Sequence, residues 1–201
     1  MEWSGDWSDE SENWNKRAMN KIGYKPSQET DGIFWMNSID FLQNFKYMYV
    51  CRVLNNSDGW NNIRMDSEWK GKSAAGFPPR KGAFRDLPQF LVTVHKPCSG
   101  FIQLRQHTTI TTFKGKNYIS WLVMKNEGER ITKLRRNLVV ANAKISNLVL
   151  ISGEVEFPEN IDYPYTFTVL CGSKQSGPEG EGGFDLTIYA QDPKLKVVKI
   201  N

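Results

Sequence analysis

The residues best placed to do chemistry stand at the start of the chain. Glu2, Asp6, Asp9, Glu10 and Glu12 put five carboxylates into the first twelve positions, with no Lys or Arg among them. A second acidic turn follows at Asp31-Gly32. Carboxylate oxygens are hard ligands, and Ca²⁺ gathers roughly six to eight such oxygens. Glu2, Asp9 and Asp31 are therefore candidate Ca²⁺ ligands. A solvated acidic terminus accounts for the same composition.

Nucleophilic chemistry has less to work with. The chain holds three cysteines, Cys51, Cys98 and Cys171, and two histidines, His95 and His107. A reactive thiolate needs a base in hydrogen-bond contact and a third group to orient that base. His95 and Cys98 flank a short connection between two strand-like runs, where such contact would be accidental. Cys51 lies in an apolar run with no histidine near it and reads as a buried thiol. Two histidines among scattered cysteines match no zinc spacing. An odd number of widely separated cysteines reads as reduced, cytosolic thiols.

A third candidate is electrostatic. Arg130, Lys133, Arg135 and Arg136 cluster in one segment, with Lys144 close behind. Residues 56–201 carry 20 basic and 14 acidic side chains, against a net charge of −2 for residues 1–55. Such a segment suits docking onto anionic lipid headgroups or an acidic protein surface; a solvated loop is the alternative. The whole chain carries a net charge of +4, too small an excess to imply nucleic acid.

The elements that must position these residues differ along the chain. Its 201 residues suffice for one domain and an appendage, with 39% hydrophobic residues to fill a core. A mean hydropathy of −0.52 and the lack of any long apolar run argue against a membrane-spanning helix. The acidic, Trp-rich start is no signal peptide. A short helix is expected from Trp14 to Ile22, stopped by Gly23, with Pro26 forbidding its continuation. A second helix is expected over 38–46, because Phe41, Leu42 and Phe45 recur at helical spacing behind the cap candidates Asn37 and Ser38. The aromatic stretch before it and the run Tyr47 to Leu54 read as strands. Asn55 to Gly59 is turn chemistry and marks a boundary between units 1–55 and 56–201.

Beyond that boundary the apolar period is two. Phe90, Val92 and Val94 alternate with Leu91, Thr93 and His95, Ile102 and Leu104 alternate with Gln103 and Arg105, and Ile119, Trp121 and Val123 follow a turn at 114–117. Further strands are expected at 138–140, 148–151, 165–171, 184–188 and 195–200. About eight strands with turns between them predict a mainly β protein, an antiparallel β-sandwich behind a small α+β segment.

Several of these residues also carry a family resemblance. Glu2-Trp3-x-Gly5-x-Trp7-Ser8-Asp9, Trp14, Asp31-Gly32-x-Phe34-Trp35-Met36 and Asp40-Phe41 resemble the end of the protease core of calpains, Ca²⁺-dependent intracellular cysteine endopeptidases. Trp69-x-Gly71-x-Ser73-Ala74-Ala75-Gly76, Leu87-Pro88-Gln89-Phe90, Cys98-Ser99-Gly100-Phe101 and Phe184-Asp185-Leu186-Thr187-Ile188-Tyr189 resemble the C2-like sandwich that follows that core.

The resemblance implies a fragment. The family's catalytic Cys, His and Asn would all lie upstream of Met1. One Ca²⁺ site would use Glu2, Asp9, the backbone carbonyl of Glu29, Asp31 and an acid where this chain has Ile33. An aliphatic side chain cannot ligate Ca²⁺, so the site should be weakened. The family's long acidic sandwich loop is replaced by the short, basic Val94-His95-Lys96-Pro97-Cys98. Glu179 and Glu181 are too few to replace it.

The implied role is the regulatory and targeting portion of a calpain-type endopeptidase, cytoplasmic and partly membrane-associated. Its partners would be the upstream protease lobe, anionic lipid and the parent's protein substrates. A non-catalytic calpain-like scaffold, or a free-standing sandwich binding lipid or protein, would show the same residues.

Overall fold

The computed structural model describes residues 2–27, 31–48, 50, 52–108 and 114–200. The chain divides into two compact units, Met1–Arg52 and Val53–Asn201.

The first unit holds two short helices, α1 (Lys16–Ile22) and α2 (Ser38–Asn44). Both begin on asparagine: the Asn15 side chain accepts from the Ala18 amide, and that of Asn37 from the Ile39 and Asp40 amides. Each cap satisfies donors that the first helical turn leaves unpaired. α1 ends as expected on Gly23, whose φ of 67° suits a residue without Cβ. Neither helix has a buried residue. Order in this unit comes instead from an aromatic chain. Trp7 meets Trp14 edge-on at 5.0 Å, Trp14 meets Tyr24 at 5.2 Å, and Tyr24 meets Trp35 at 5.9 Å. Trp14 Nε1 donates to the Ser8 carbonyl at 2.7 Å.

Two expected strands of this region do not form. The aromatic stretch at 33–36 is unpaired, and the described residues of the Tyr47–Leu54 run lie outside any strand, with Val50 and Val53 exposed. An apolar run becomes a strand only where a neighbour pairs its amides. Cys51 lies outside the described residues.

The second unit has ten strands among the described residues: β1 (Asn61–Trp69), β2 (Gln89–Val94), β3 (Cys98–Gln106), β4 (Lys114–Met124), β5 (Val139–Asn142), β6 (Ser146–Leu148), β7 (Leu150–Phe157), β8 (Tyr165–Ser173), β9 (Gly182–Ala190) and β10 (Lys196–Ile200). They form two antiparallel sheets. One runs β1-β9-β3-β7; the other runs β10-β2-β8-β4-β5, with β6 also paired to β4. The chain is thus the mainly β, antiparallel sandwich that its alternation predicts.

Three details depart from the sequence reading. β1 is an extra strand. The turn placed at 114–117 is already the start of β4. The single strand expected at 148–151 is two strands, β6 and β7, separated only by Val149 and belonging to different sheets. A one-residue step between sheets carries no composition signal.

The core lies between the sheets. Phe90, Val92 and Val94 from β2, Phe167, Val169 and Cys171 from β8, Ile102 and Leu104 from β3, and Phe184, Leu186 and Ile188 from β9 are fully buried. Trp69 stacks on Phe184 with ring centres 4.2 Å apart. The six-stranded sheet is covered on its outer face as well. Leu122, Met124 and Leu170 point away from the main core and pack with Leu87 and Ile131. That second layer is why Trp121-Leu122-Val123-Met124 is apolar at every position.

Candidate functional site

Three acidic residues of the first unit, Glu2, Asp9 and Asp31, act on one side chain, Tyr24. Its hydroxyl donates to Asp9 Oδ1 and lies 3.3 Å from the Ile33 carbonyl. Glu2 Oε1 accepts from the Gly32 amide at 2.5 Å, and Asp31 Oδ1 from the Ile33 amide at 2.8 Å. The hydrogen bond to Asp9 pushes the Tyr24 hydroxyl up to about 12, helped by partial burial and by the charges of Asp9, Asp31 and Glu2. Asp9 is thus tied to Tyr24, and Glu2 and Asp31 to the backbone of the 31–33 turn. Their oxygens do not gather at one point: among the described residues these three carboxylates form no cluster at ligand distance, so the Ca²⁺ set expected from the sequence is not assembled here. Ile33 adds only its backbone carbonyl. Glu29 lies outside the described residues.

The basic segment occupies the outer face of the six-stranded sheet. A fully buried amide holds it there: Gln89 Nε2 donates to the Ile131 carbonyl at 2.9 Å, and the Ile131 amide donates back to Gln89 Oε1 at 2.7 Å. Thr168 Oγ1 donates to the Glu129 carbonyl at 2.8 Å, and Arg130 Nη1 to the Arg85 carbonyl at 2.6 Å. With its backbone fixed this way, the segment turns Lys133, Arg135 and Arg136 outward, and Lys144 is exposed nearby. Arg136 and Lys144 stand at a cleft of about 490 Å³ whose walls include Phe77, Leu122, Leu134 and Val139. Cations at the edge of an apolar cleft suit an amphiphilic anion. Gln89 escaped the sequence reading. The only trace of it was a polar residue inside an apolar strand.

Neither of the two described thiols, Cys98 and Cys171, is set up as a nucleophile. Burial pushes the Cys98 thiol up to about 11, and the Asp192 carboxylate adds to the effect. Cys171 is wholly buried and is pushed higher still. Both therefore stay protonated near neutrality, whereas attack requires the thiolate. His95 is engaged elsewhere: its backbone amide and Nδ1 lie 2.6 and 3.2 Å from Asp192 Oδ2.

One grouping was invisible in the sequence. Asp66 on β1, Asp185 on β9 and His107 just past β3 bring their ligand atoms within 4.8 Å of one another. His107 Nε2 lies 3.1 Å from Asp185 Oδ1 and 3.7 Å from Asp66 Oδ1. Burial would raise the Asp185 carboxyl, but hydrogen bonds from Asp66, His107 and Arg64 hold it below the usual carboxylate range; Asp66 is raised by the same contact with Asp185.

A mainly β sandwich behind a short, aromatic-rich α segment is the class that the fold defines. Residues 1–52 match the calpain family of cysteine proteases, and the chain is related to that family. It is 40% identical over 76 residues to the calpain-type cysteine protease DEK1 of Arabidopsis thaliana, covering 38% of this chain and 3% of that protein. It is 27% identical over 124 residues to human calpain-14, covering 58% of this chain and 18% of that protein. The calpain-2 catalytic subunit of Bos taurus is 30% identical over 103 residues, 48% of this chain and 15% of that subunit. The chain thus spans less than a fifth of the length of these relatives.

Proposed function

We propose that this chain is a regulatory and targeting portion of a calpain-type, calcium-dependent cysteine endopeptidase, and that it hydrolyses no peptide bond by itself. The observation that carries the targeting role is the basic edge of the apolar cleft, with Arg136 and Lys144 exposed beside Leu134 and Val139. The protonated thiols of Cys98 and Cys171 support the absence of catalysis. The surface docks on anionic membrane lipid in the cytoplasm, while the aromatic first unit packs against an upstream protease lobe. Each Lys or Arg brought to an anionic surface contributes about 1 kcal/mol, so four cations are enough to matter without Ca²⁺.

Vesicle co-sedimentation tests the docking. The chain should pellet with phosphatidylserine-containing vesicles and not with pure phosphatidylcholine, with or without Ca²⁺. Binding should weaken as salt rises, because screening acts over about 10 Å at 0.1 M. Charge reversal at Lys133, Arg135, Arg136 and Lys144 should abolish it. Arg130 is left intact because it holds the Arg85 carbonyl. Binding that survives the reversal, or that appears only with Ca²⁺, would refute this reading.

A further inference from the structure

We propose that Asp66, His107 and Asp185 form a three-ligand site for a borderline divalent transition-metal ion of the Zn²⁺ or Co²⁺ kind.

Asp66 and Asp185 are direct cross-strand partners in the β1–β9 pair. Like charges at directly opposed positions destabilise a sheet. Here a hydrogen bond between the two carboxyls and the Arg64 guanidinium hold them together, with the His107 imidazole facing both.

Geometry then narrows the ion. Two ligands each about 2.1 Å from a tetrahedral Zn²⁺ stand about 3.4 Å apart. The two imidazole–carboxylate separations, 3.1 and 3.7 Å, bracket that edge length. One nitrogen with carboxylate oxygens suits Zn²⁺ and its neighbours, whereas Ca²⁺ and Mg²⁺ take oxygen ligands.

The supporting contacts are those of a built site. Arg64 Nη2 holds Asp185 Oδ2 at 2.5 Å, which leaves Oδ1 toward the imidazole. The His107 amide donates to the Gly183 carbonyl at 2.8 Å. The ring itself lies over Gly183, where a Cβ would come within 2.5 Å of Nδ1. Orientation by such surrounding contacts is what fixes a metal-ligating histidine. Asp185 is 95% buried as a side chain, while His107 and Asp66 are open to solvent, so a metal would be reached from outside with room left for water.

The test uses the whole chain and Co²⁺ as the probe. Titration should give one equivalent of bound Co²⁺ with visible d–d bands of a four- or five-coordinate ion and no thiolate charge-transfer band. Zn²⁺ should displace it and an equal concentration of Ca²⁺ should not. His107→Ala and Asp66→Asn, both at exposed positions, should each weaken binding at least about tenfold while the metal-free protein stays folded by circular dichroism. Gly183→Ala keeps every ligand but pushes the ring, and should weaken binding as well. Stoichiometric binding unchanged in His107→Ala and Asp66→Asn, a thiolate band, or the absence of stoichiometric binding would each overturn the proposal.

Discussion

Replacing Asp192 by alanine should destabilise the sandwich more than any surface substitution. Asp192 lies in the turn between β9 and β10 and is 1% exposed. Its carboxylate accepts from the His95 amide at 2.6 Å and the Lys194 amide at 2.9 Å, and faces His95 Nδ1 at 3.2 Å. One side chain therefore ties the β2–β3 connection to the β9–β10 turn. Hydrogen bonds to a charged group are worth about 1.5–3 kcal/mol each, and alanine leaves two amides without their acceptor. Partial exposure of His95 lets water recover some of this, so the loss should be about 3 kcal/mol. At roughly 2–4 °C per kcal/mol for a domain of this size, the melting temperature should fall by about 6–12 °C. Asp192→Asn keeps an acceptor and should lose about half as much.

The pH dependence follows from the direction of the shift. Burial pushes the Asp192 carboxyl up, but the Lys194 and His95 amides and the His95 ring hold it below the usual carboxylate range. A lowered folded pKa contributes stability that is present above the unfolded value, about 3.9, and is lost as pH falls through the folded one. The gap between wild type and Asp192→Asn should therefore be full at pH 7 and close on acidification below about pH 4. Calorimetry of the three proteins measures both effects. An Asp192→Ala protein melting within about 2 °C of wild type at pH 7, or a gap that persists in acid, would refute the reasoning.

Three further outcomes are expected. Tyr24 should ionise near pH 12 when followed by tyrosinate absorbance, and Asp9→Asn should bring it down, because the hydrogen bond to Asp9 is the main cause of the shift. Ca²⁺ should bind the first unit no tighter than about 10⁻⁴ to 10⁻³ M by calorimetry, since Ile33 replaces an acid in the expected ligand set, and Asp31→Asn should abolish that weak binding. Limited proteolysis should cut first around residues 47–59 and leave a stable core made of the sandwich strands, because Tyr47, Met48, Val50 and Val53 are exposed and unpaired.

The legible parts of the fold were those in which one face is buried. Phe90-Val92-Val94 and Phe184-Leu186-Ile188 alternate because every second side chain faces the other sheet. β1 was missed although Ile63, Met65 and Trp69 keep the period, because Asn, Arg, Asp and Glu fill the other face. The Tyr47–Leu54 run misled for the opposite reason: its residues are strand-forming by type, yet those described lie outside any strand. At the candidate sites, composition announced the carboxylates of Glu2, Asp9 and Asp31 but not their shared effect on Tyr24. Asp66, His107 and Asp185 could not be seen at all, since only the β1–β9 and β3–β9 registers bring them together. The basic segment was plain in the sequence; the Gln89 amide that holds it was not.

The proposed role, a regulatory portion that hydrolyses no peptide bond by itself, is open to direct assay. The most direct measurement is hydrolysis of a casein-like substrate by the chain alone, with Ca²⁺ and a thiol reductant. The account predicts no turnover above the buffer control at any Ca²⁺ concentration. Turnover that disappears on mutating Cys51, Cys98 or Cys171 would contradict it.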